Sequence, residues 1–164
     1  MATATYVPIA TNTLVSNSLT VTFSSIPQTY TDLIMVFSGK SNVASASLIY
    51  QMNADTGSSY SSTSIKTNGA TIVTVRDASA SNGISTNPNG FVNQSLIISY
   101  FMNYSNTTTY KTVLSRANTV DNQSGMTVDC WRNTNAVTSL VAWSTASYVF
   151  LAGSVFTLYG IKAE

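Results

Sequence analysis

Carboxyl groups are the side chains of this sequence best suited to acid–base or metal chemistry, and there are only six. They are Asp32, Asp55, Asp77, Asp121, Asp129 and Glu164. A glycoside hydrolase holds two carboxylates at a fixed separation across a cleft, whereas most of these acids lie in turn-like stretches. The chain also has no histidine, which excludes Ser-His-Asp and Cys-His catalysis and imidazole metal ligands. We therefore expect no enzymatic activity, and a carboxylate hydrolase is the least favoured interpretation.

Two acidic segments are expected to form hydrogen-bonded turns. In Asn53-Ala54-Asp55-Thr56-Gly57, oxygen ligands at alternate positions before a glycine resemble the start of a calcium loop. The segment has one carboxylate and lacks the distal glutamate of such loops, so a hydrogen-bonded loop is favoured. Asp32 precedes a strongly apolar stretch, where a carboxylate often accepts backbone N–H groups. We predict no metal and no other cofactor.

Asp129 and Cys130 are neighbours in a predicted strand and must point to opposite faces of it. Asp129 shares a face with Trp131. This face lies either at a subunit interface or at the solvent-exposed surface, and we favour the solvent-exposed surface. Cys130 alternates with Met126 and Val128, so we expect a core thiol without nucleophilic chemistry.

Aromatic side chains are the remaining candidates for recognition. Rings beside amides and carboxylates can bind sugars, because the rings stack on C–H groups while the polar groups bond to hydroxyls. We expect Tyr60, Tyr104 and Tyr110 to be exposed, and with Asn53 and Asp55 they are the candidate contacts for a glycan or a partner. Ordinary packing of these rings is the favoured alternative. Both tryptophans are expected in the core.

The charge pattern argues against nucleic acid and membranes as partners. Only 8% of residues are charged and the formal net charge is +1. Phosphate binding requires clustered lysine and arginine, but the seven here are scattered singly. Apolar runs such as 33–37 are far shorter than the ~18 residues of a membrane span. The first ten residues show no secretory signal pattern.

The sequence pattern predicts an all-β protein of about 8–10 antiparallel strands. Serine, threonine and asparagine make up 64 of the 164 residues, good helix formers are scarce, and apolar residues alternate with period two. Continuous apolar runs at 33–37 and 96–102 indicate central strands covered on both sides. Strands are expected at 5–10, 18–24, 31–38, 46–52, 70–76, 92–102, 109–117, 125–132, 137–143 and 154–162.

We expect a single β-sandwich domain over residues 1–164, with residues 1–10 as an N-terminal arm or an edge strand. Two long connections, 53–69 and 77–90, are nearly devoid of aliphatic residues. Loops of this length are usually functional or disordered, and flexible surface chain is an equally favoured interpretation.

Four segments resemble small structural proteins of tailed bacteriophages. These are Ser25–Leu33, Asn53–Ser61, Asn103–Thr112 and Gly153–Ile161, in an order that looks collinear with that family. The resemblance implies a jelly-roll virion component, usually oligomeric and often trimeric, of the capsid decoration, cement or tail-fibre head type. No catalytic residue belongs to the shared pattern. Some relatives carry histidines near the Asp55 loop, and this chain has none.

The expected function is therefore that of a non-enzymatic virion protein that decorates or cements the capsid as a homo-oligomer, expected to be a trimer. It would be made in the host cytoplasm and reside on the particle surface. Its partners would be its own copies and the major capsid protein or other virion proteins. Residues 1–10, 53–69 and 77–90 are the expected contact surfaces. The alternative function is a receptor- or glycan-binding head of a tail fibre that contacts host-surface glycan.

Overall fold

The structure, a computed structural model, describes residues 5–43, 46–86, 93–120, 123–145 and 148–162. Within these residues it contains twelve β-strands and no α-helix, so the all-β prediction is confirmed with more strands than expected. The strands are β1 Tyr6–Thr13, β2 Thr20–Phe23, β3 Asp32–Gly39, β4 Leu48–Met52, β5 Tyr60–Thr67, β6 Ile72–Ala80, β7 Ile84–Ser85, β8 Ser95–Met102, β9 Lys111–Thr119, β10 Ser124–Trp131, β11 Leu140–Ser144 and β12 Val155–Ile161.

Two antiparallel sheets of unequal width form a β-sandwich, as the sequence predicts. The large sheet has eight strands in the order β1-β12-β3-β8-β9-β10-β5-β6. The small sheet has four, in the order β2-β11-β4-β7. Most neighbours in both sheets are distant in sequence, so the sheets are held together by long-range pairing. Because the small sheet is half as wide, it can cover only part of one face of the large sheet.

The hydrophobic core contains residues from both sheets. Leu48 and Tyr50 of β4 belong to the same buried cluster as Met35 of β3 and Phe101 of β8, each at most 1% exposed. An aromatic trio adds to this cluster, with ring centroids 4.7 Å apart for Phe37 and Phe156, 5.0 Å for Phe150 and Phe156, and 5.7 Å for Phe37 and Phe150. Burial of this apolar surface is the main stabilising term of the fold.

The apolar run of β8 is covered on one face only, which corrects the expectation of cover on both sides for this run. In the run of β3, Ile34 on the face opposite to the core is buried as well, at 4% exposed. Ile97 and Phe101 point to the core and are each 1% exposed, whereas Leu96 is 47% and Met102 39% exposed on the opposite face. Alternation along a strand places these two sets on opposite sides of the sheet. The face that carries Leu96 and Met102 is turned away from the small sheet, and we call it the outer face.

The prediction of two long loops is wrong over much of their length. Residues 60–67 form β5. Residues 72–80 form β6, which therefore includes the start of the second segment. β5 is rich in serine and threonine, and every residue of β6 is at least partly exposed. Neither strand therefore carries the buried apolar alternation that identifies a strand in sequence. Residues 87–90 of the second segment lie outside the described residues.

The N-terminal segment is an edge strand. β1 pairs with β12 alone, and the register shifts between Pro8 and Ala10. A proline and a bulge both disfavour pairing with another chain at a sheet edge. The expected strand at 5–10 is thus longer, ending at Thr13, while residues 1–4 lie outside the described part of the chain.

Replacing Gly83 with alanine is expected to lower the free energy of unfolding by about 2–3 kcal/mol. Gly83 has a φ of 136°, and a Cβ there would lie 2.5 Å from the Tyr50 carbonyl oxygen. Gly153→Ala is the matched control, since Gly153 also has a positive φ of 84° but no atom within 4 Å of the added Cβ. Chemical denaturation of both variants measures the difference, and equal losses would contradict the steric account.

Candidate functional site

Asn53 ties the end of β4 to the segment that precedes β11. Its Oδ1 accepts the backbone N–H groups of Thr138 at 2.8 Å and Ser139 at 3.1 Å. Its Nδ2 donates to the Ala136 carbonyl at 2.8 Å. Asn53 has a positive φ of 50°, a conformation that asparagine tolerates better than most residues. Both polar atoms of this amide are therefore used within the chain.

Asp55 is hydrogen-bonded through both carboxylate oxygens, which confirms the prediction of a hydrogen-bonded loop. Oδ2 accepts the indole N–H of Trp131 at 2.7 Å and Oδ1 accepts the backbone N–H of Gly57 at 2.8 Å. The Trp131 bond, followed by the Gly57 bond, holds the pKa of this carboxyl below its ordinary value despite desolvation. Asp32 accepts a backbone N–H as expected, but the donor is Asn103, 71 residues away and 2.6 Å from its Oδ1, and not a group of a local turn.

The expectation that Tyr60 and Tyr104 are exposed is wrong, since both are 0% exposed. The Tyr60 hydroxyl donates to the Asp55 carbonyl at 2.9 Å, and the Tyr104 hydroxyl donates to the Pro27 carbonyl. Burial raises the pKa of each phenol. Tyr110 is 57% exposed, as predicted. The polar residues beside Tyr60 and Tyr104 in the sequence suggested exposure, whereas each hydroxyl is buried and bonded to a backbone carbonyl.

Tyr60→Phe is expected to lower the free energy of unfolding by about 1–3 kcal/mol, because it leaves the part-buried Asp55 carbonyl without its donor and the buried Met52 N–H without its acceptor. Tyr110→Phe is the control and is expected to change stability by less than about 0.5 kcal/mol, since its hydroxyl is at the surface. Urea denaturation of the two variants distinguishes these outcomes. An equal loss of stability in both variants would show that the Tyr60 hydroxyl does not stabilise the Asp55 loop.

The two tryptophans differ in burial. Trp131 is 1% exposed and stacks on Tyr60 with a centroid distance of 6.5 Å, so its placement in the core is confirmed. Trp143 is half-buried and lies outside the core cluster, so the core prediction is wrong for it. Its indole N–H donates to the Asn82 carbonyl at 3.3 Å, which occupies its polar atom.

Asp129 lies inside the protein, not at the solvent-exposed surface that the sequence favoured. It is 1% exposed. Thr127 donates to its Oδ2 at 2.8 Å, while Oδ1 has no hydrogen-bond partner among the described residues. Desolvation raises the pKa of this carboxyl to about 7, although the hydroxyls of Ser62 and Thr127 oppose the shift. The polar face of β10 is thus the buried one.

Cys130 is only half-buried, which corrects the expectation of a core thiol. Its neighbours on the same face, Met126 and Val128, are 50% and 53% exposed. Burial is the main cause that raises the pKa of the Cys130 thiol. A thiol with a raised pKa is a poor nucleophile, in agreement with the structural role expected for it.

A row of hydroxyl groups crosses the inner face of the large sheet. Ser99, Ser115, Thr127 and Ser64 occupy paired positions on β8, β9, β10 and β5. All four are at most 4% exposed, and Ser99 and Ser115 share a hydrogen bond of 2.7 Å. The Ser64 hydroxyl has no partner among the described residues. A buried polar atom without a partner is uncommon.

The hydroxyl row ends at a crevice between the β5–β6 hairpin and the small sheet. The crevice has a volume of about 280 Å³. One wall contains Ser62, Ser64 and Asp77 of the hairpin, and the other contains Ile49 and Trp143 of the small sheet. This site was not visible in the sequence, because its two walls come from different sheets and the serines of the hairpin resemble surface residues.

Two cations that sequence analysis left unassigned are bound to backbone carbonyls. Lys111 is 1% exposed, and its Nζ donates to the carbonyls of Thr109 at 2.7 Å and Thr134 at 3.1 Å. Burial lowers the pKa of this ammonium. Arg132 donates to the carbonyls of Ala78 and Ser58, each at 2.7 Å. These contacts fasten loops, and neither side chain forms part of the crevice.

The outer face of the large sheet is rich in apolar side chains. The register places these residues on it: Ile34 and Val36 of β3, Leu96, Ile98, Tyr100 and Met102 of β8, Leu114 of β9, Met126 and Val128 of β10, Ile65 of β5 and Ile72 of β6. Exposure ranges from 4% at Ile34 to 73% at Ile72. Large exposed apolar patches usually mark interaction sites.

Within the described part of the chain, no three histidine, cysteine, aspartate or glutamate side chains cluster as metal ligands. The same residues contain no apolar helix long enough to cross a bilayer.

Comparisons with known proteins identify no family for this chain. No family model matches it, and no curated protein matches it. Among solved structures, it is similar to a protein of unknown function from Shewanella oneidensis MR-1, at 10% sequence identity and a TM-score of 0.21. The match covers 85% of this chain and 62% of that protein, so the chain spans less than two thirds of that protein's length.

Proposed function

We propose that this protein is a non-enzymatic structural component of a tailed-phage particle that decorates or cements the capsid as a homo-oligomer, in the simplest case a trimer. The observation that carries the proposal is the uncovered apolar outer face of the large sheet. The sequence resemblance to small virion proteins supports the same function. The particle surface is the corresponding location, and the major capsid protein is the corresponding partner.

The order of strand pairing supports a jelly-roll sandwich. Four antiparallel pairs are nested along the chain: β1 with β12, β2 with β11, β3 with β8, and β4 with β7. Folding one long hairpin into two sheets produces such nesting. Eight strands in two sheets are the architecture of jelly rolls in viral capsid and lectin domains. The β5–β6 and β9–β10 strands then extend one sheet of the jelly roll.

The size of the outer face is adequate for a stable interface. Eight strands spaced ~4.8 Å apart span ~34 Å, and a strand of about eight residues is ~26 Å long. The projected area is therefore roughly 900 Å², from the same spacings. A standard protein interface buries about 800 Å² on each partner. In a trimer, different parts of this apolar face on neighbouring copies would pack together around the three-fold axis.

The charges on the outer face are few enough for copies to pack together. Asp32, Arg76 and Arg116 are the charged residues that the register places on it. The Arg116 guanidinium lies 5.9 Å from the centre of the Tyr100 ring, where a cation is attracted to the aromatic face. Neutral polar and apolar groups avoid the desolvation cost of buried charges. Association on this face is therefore expected to be insensitive to salt.

Light scattering on the purified protein tests the proposal. We expect the mass of three chains, each of 17.5 kDa, and loss of the oligomer in Val128→Lys. Val128 is 53% exposed, so a lysine is tolerated in the folded monomer while it adds a charge to the interface. Val15→Lys is the control, because Val15 is 95% exposed and lies in the β1–β2 connection. A monomeric wild-type protein contradicts the oligomer.

Binding to particles tests the second half of the proposal. Wild-type protein is expected to co-sediment with purified capsids that lack it and to appear on their surface in electron micrographs, whereas Val128→Lys is expected to bind weakly. Failure of the wild-type oligomer to co-sediment contradicts a decoration role and leaves the self-association result standing.

The second candidate function is that of a glycan-binding head of a tail fibre. Of the three tyrosine rings proposed as its contacts, one lies at the surface. Tyr110 is 57% exposed and lies beside the Asn106 turn, whose side-chain carbonyl accepts the backbone N–H groups of Thr108 and Thr109. A glycan array on the wild-type protein and on Tyr110→Ala tests this function. Loss of binding in the variant would favour it over decoration.

A further inference from the structure

We propose that the crevice between the β5–β6 hairpin and the small sheet binds a neutral, hydroxyl-rich ligand about the size of one sugar ring. This site lies on the inner face of the hairpin, away from the outer face proposed for self-association. It also differs from the tyrosine contacts considered above. The inference therefore does not depend on the proposed decoration function.

An unpartnered buried polar atom points to a ligand in the crevice. Ser64 lines it, is 3% exposed, and its hydroxyl has no partner among the described residues. Asp129, the partner of Ser62 across the β10–β5 ladder, is not part of the lining, so Ser64 supplies the unpartnered atom of the crevice. Leaving such an atom unpaired costs stability. A ligand hydroxyl can donate to the Ser64 hydroxyl or accept from it.

The charges of the residues that line the crevice indicate which class of ligand it binds. Its described lining contains the carboxylate of Asp77 and the hydroxyls of Ser62, Ser64, Ser81, Ser85 and Thr145, and no lysine or arginine. An anionic ligand such as a phosphate would be repelled by the carboxylate and would have no cation to pair with. A neutral polyol instead matches a lining made mainly of hydroxyl groups.

The apolar part of the lining suits the carbon skeleton of a sugar. Ile49, Val75 and the indole of Trp143 contribute to the crevice. Because the Trp143 N–H is bonded to the Asn82 carbonyl, the ring carbons are the surface that Trp143 offers to a ligand. Binding sites typically combine apolar walls with a few convergent polar groups. The volume of about 280 Å³ limits the bound portion to about one ring.

Titration with glucose, galactose and N-acetylglucosamine, followed by NMR of the full chain, tests the proposal. We expect at least one of these sugars to shift the Trp143 indole resonance and the backbone amides of Ser62 and Ser64. In Ser64→Ala the affinity is expected to fall about tenfold, the effect of one lost hydrogen bond. Because the Ser64 hydroxyl has no partner among the described residues, the same variant is expected to be at least as stable to heat as the wild type.

Two controls separate sugar binding from other causes. Ser16→Ala, an exposed serine in the β1–β2 connection, is expected to bind as the wild type does. Val128→Lys is also expected to retain binding, since Val128 lies on the opposite face of the sheet. The proposal is overturned if none of the three sugars shifts these resonances at tens of millimolar, or if Ser64→Ala binds as tightly as the wild type.

Discussion

Asp129→Asn is expected to raise the free energy of unfolding at pH 8 by up to about 4 kcal/mol. The pKa of the Asp129 carboxyl is raised from an ordinary value of 3.8 to about 7 in the folded protein. Each pKa unit corresponds to about 1.4 kcal/mol of differential stability. Above pH 7 the folded wild type must hold a buried carboxylate with one unpaired oxygen, and asparagine removes that charge while it retains the shape of the side chain.

The same raised pKa determines how stability depends on pH. Between pH 4 and pH 7 the folded protein holds a proton on Asp129 that the unfolded chain releases. Stability therefore falls as pH rises through this window and reaches its lower level above the folded pKa of about 7. Asp129→Asn is expected to remove this component of the slope.

Urea denaturation of the wild type and of Asp129→Asn at pH 4, 6 and 8 measures both effects. Asp77→Asn is the matched control, because Asp77 is an exposed carboxyl on the same face of the sheet. Its substitution is expected to change stability by less than about 0.5 kcal/mol. An Asp129→Asn variant that is less stable than the wild type at pH 8 would show that the carboxylate is well accommodated.

Phe156→Ala is expected to lower the free energy of unfolding by about 3–5 kcal/mol, the usual cost of removing a buried phenylalanine ring. Phe156 is 0% exposed and its ring packs against Phe37 and Phe150. Truncation removes apolar burial and leaves a cavity that the two remaining rings cannot fill, because each is held by its own strand or bridge.

Thr157→Ala is the control for Phe156→Ala, since Thr157 is the next residue of β12 and points to the outer face. We expect it to cost less than about 1 kcal/mol, because it removes a single exposed hydroxyl contact with Thr11. Thermal denaturation of both variants provides the comparison. Similar losses at the two positions would mean that the aromatic trio contributes little to the core.

The candidate site shows how far sequence reasoning reaches. In the loop at Asp55, the bond from the Gly57 N–H was predictable because it spans two residues, whereas the bond from Trp131 joins residues that are 76 positions apart. The burial of Tyr60 was not predictable, because it depends on Trp131 and on the Met52 and Asp55 carbonyls, which pack around the ring. The crevice was not predictable either, since Ser64 and Trp143 belong to different sheets.

The sequence alone determined that this protein is built from strands and where most of them lie. Period-two alternation is a local property, so the alternation of Thr127, Val128, Asp129 and Cys130 was visible without a structure. Only the tertiary structure decided which alternate set is buried. In β10 the set with Thr127 and Asp129 faces inward. The register of β10 with β9 and β5, and not the polarity of its side chains, determines which set faces the core. The tertiary structure also decided which face of the large sheet is uncovered, because the small sheet packs against the inner face and leaves the outer face, with Leu96 and Met102, exposed.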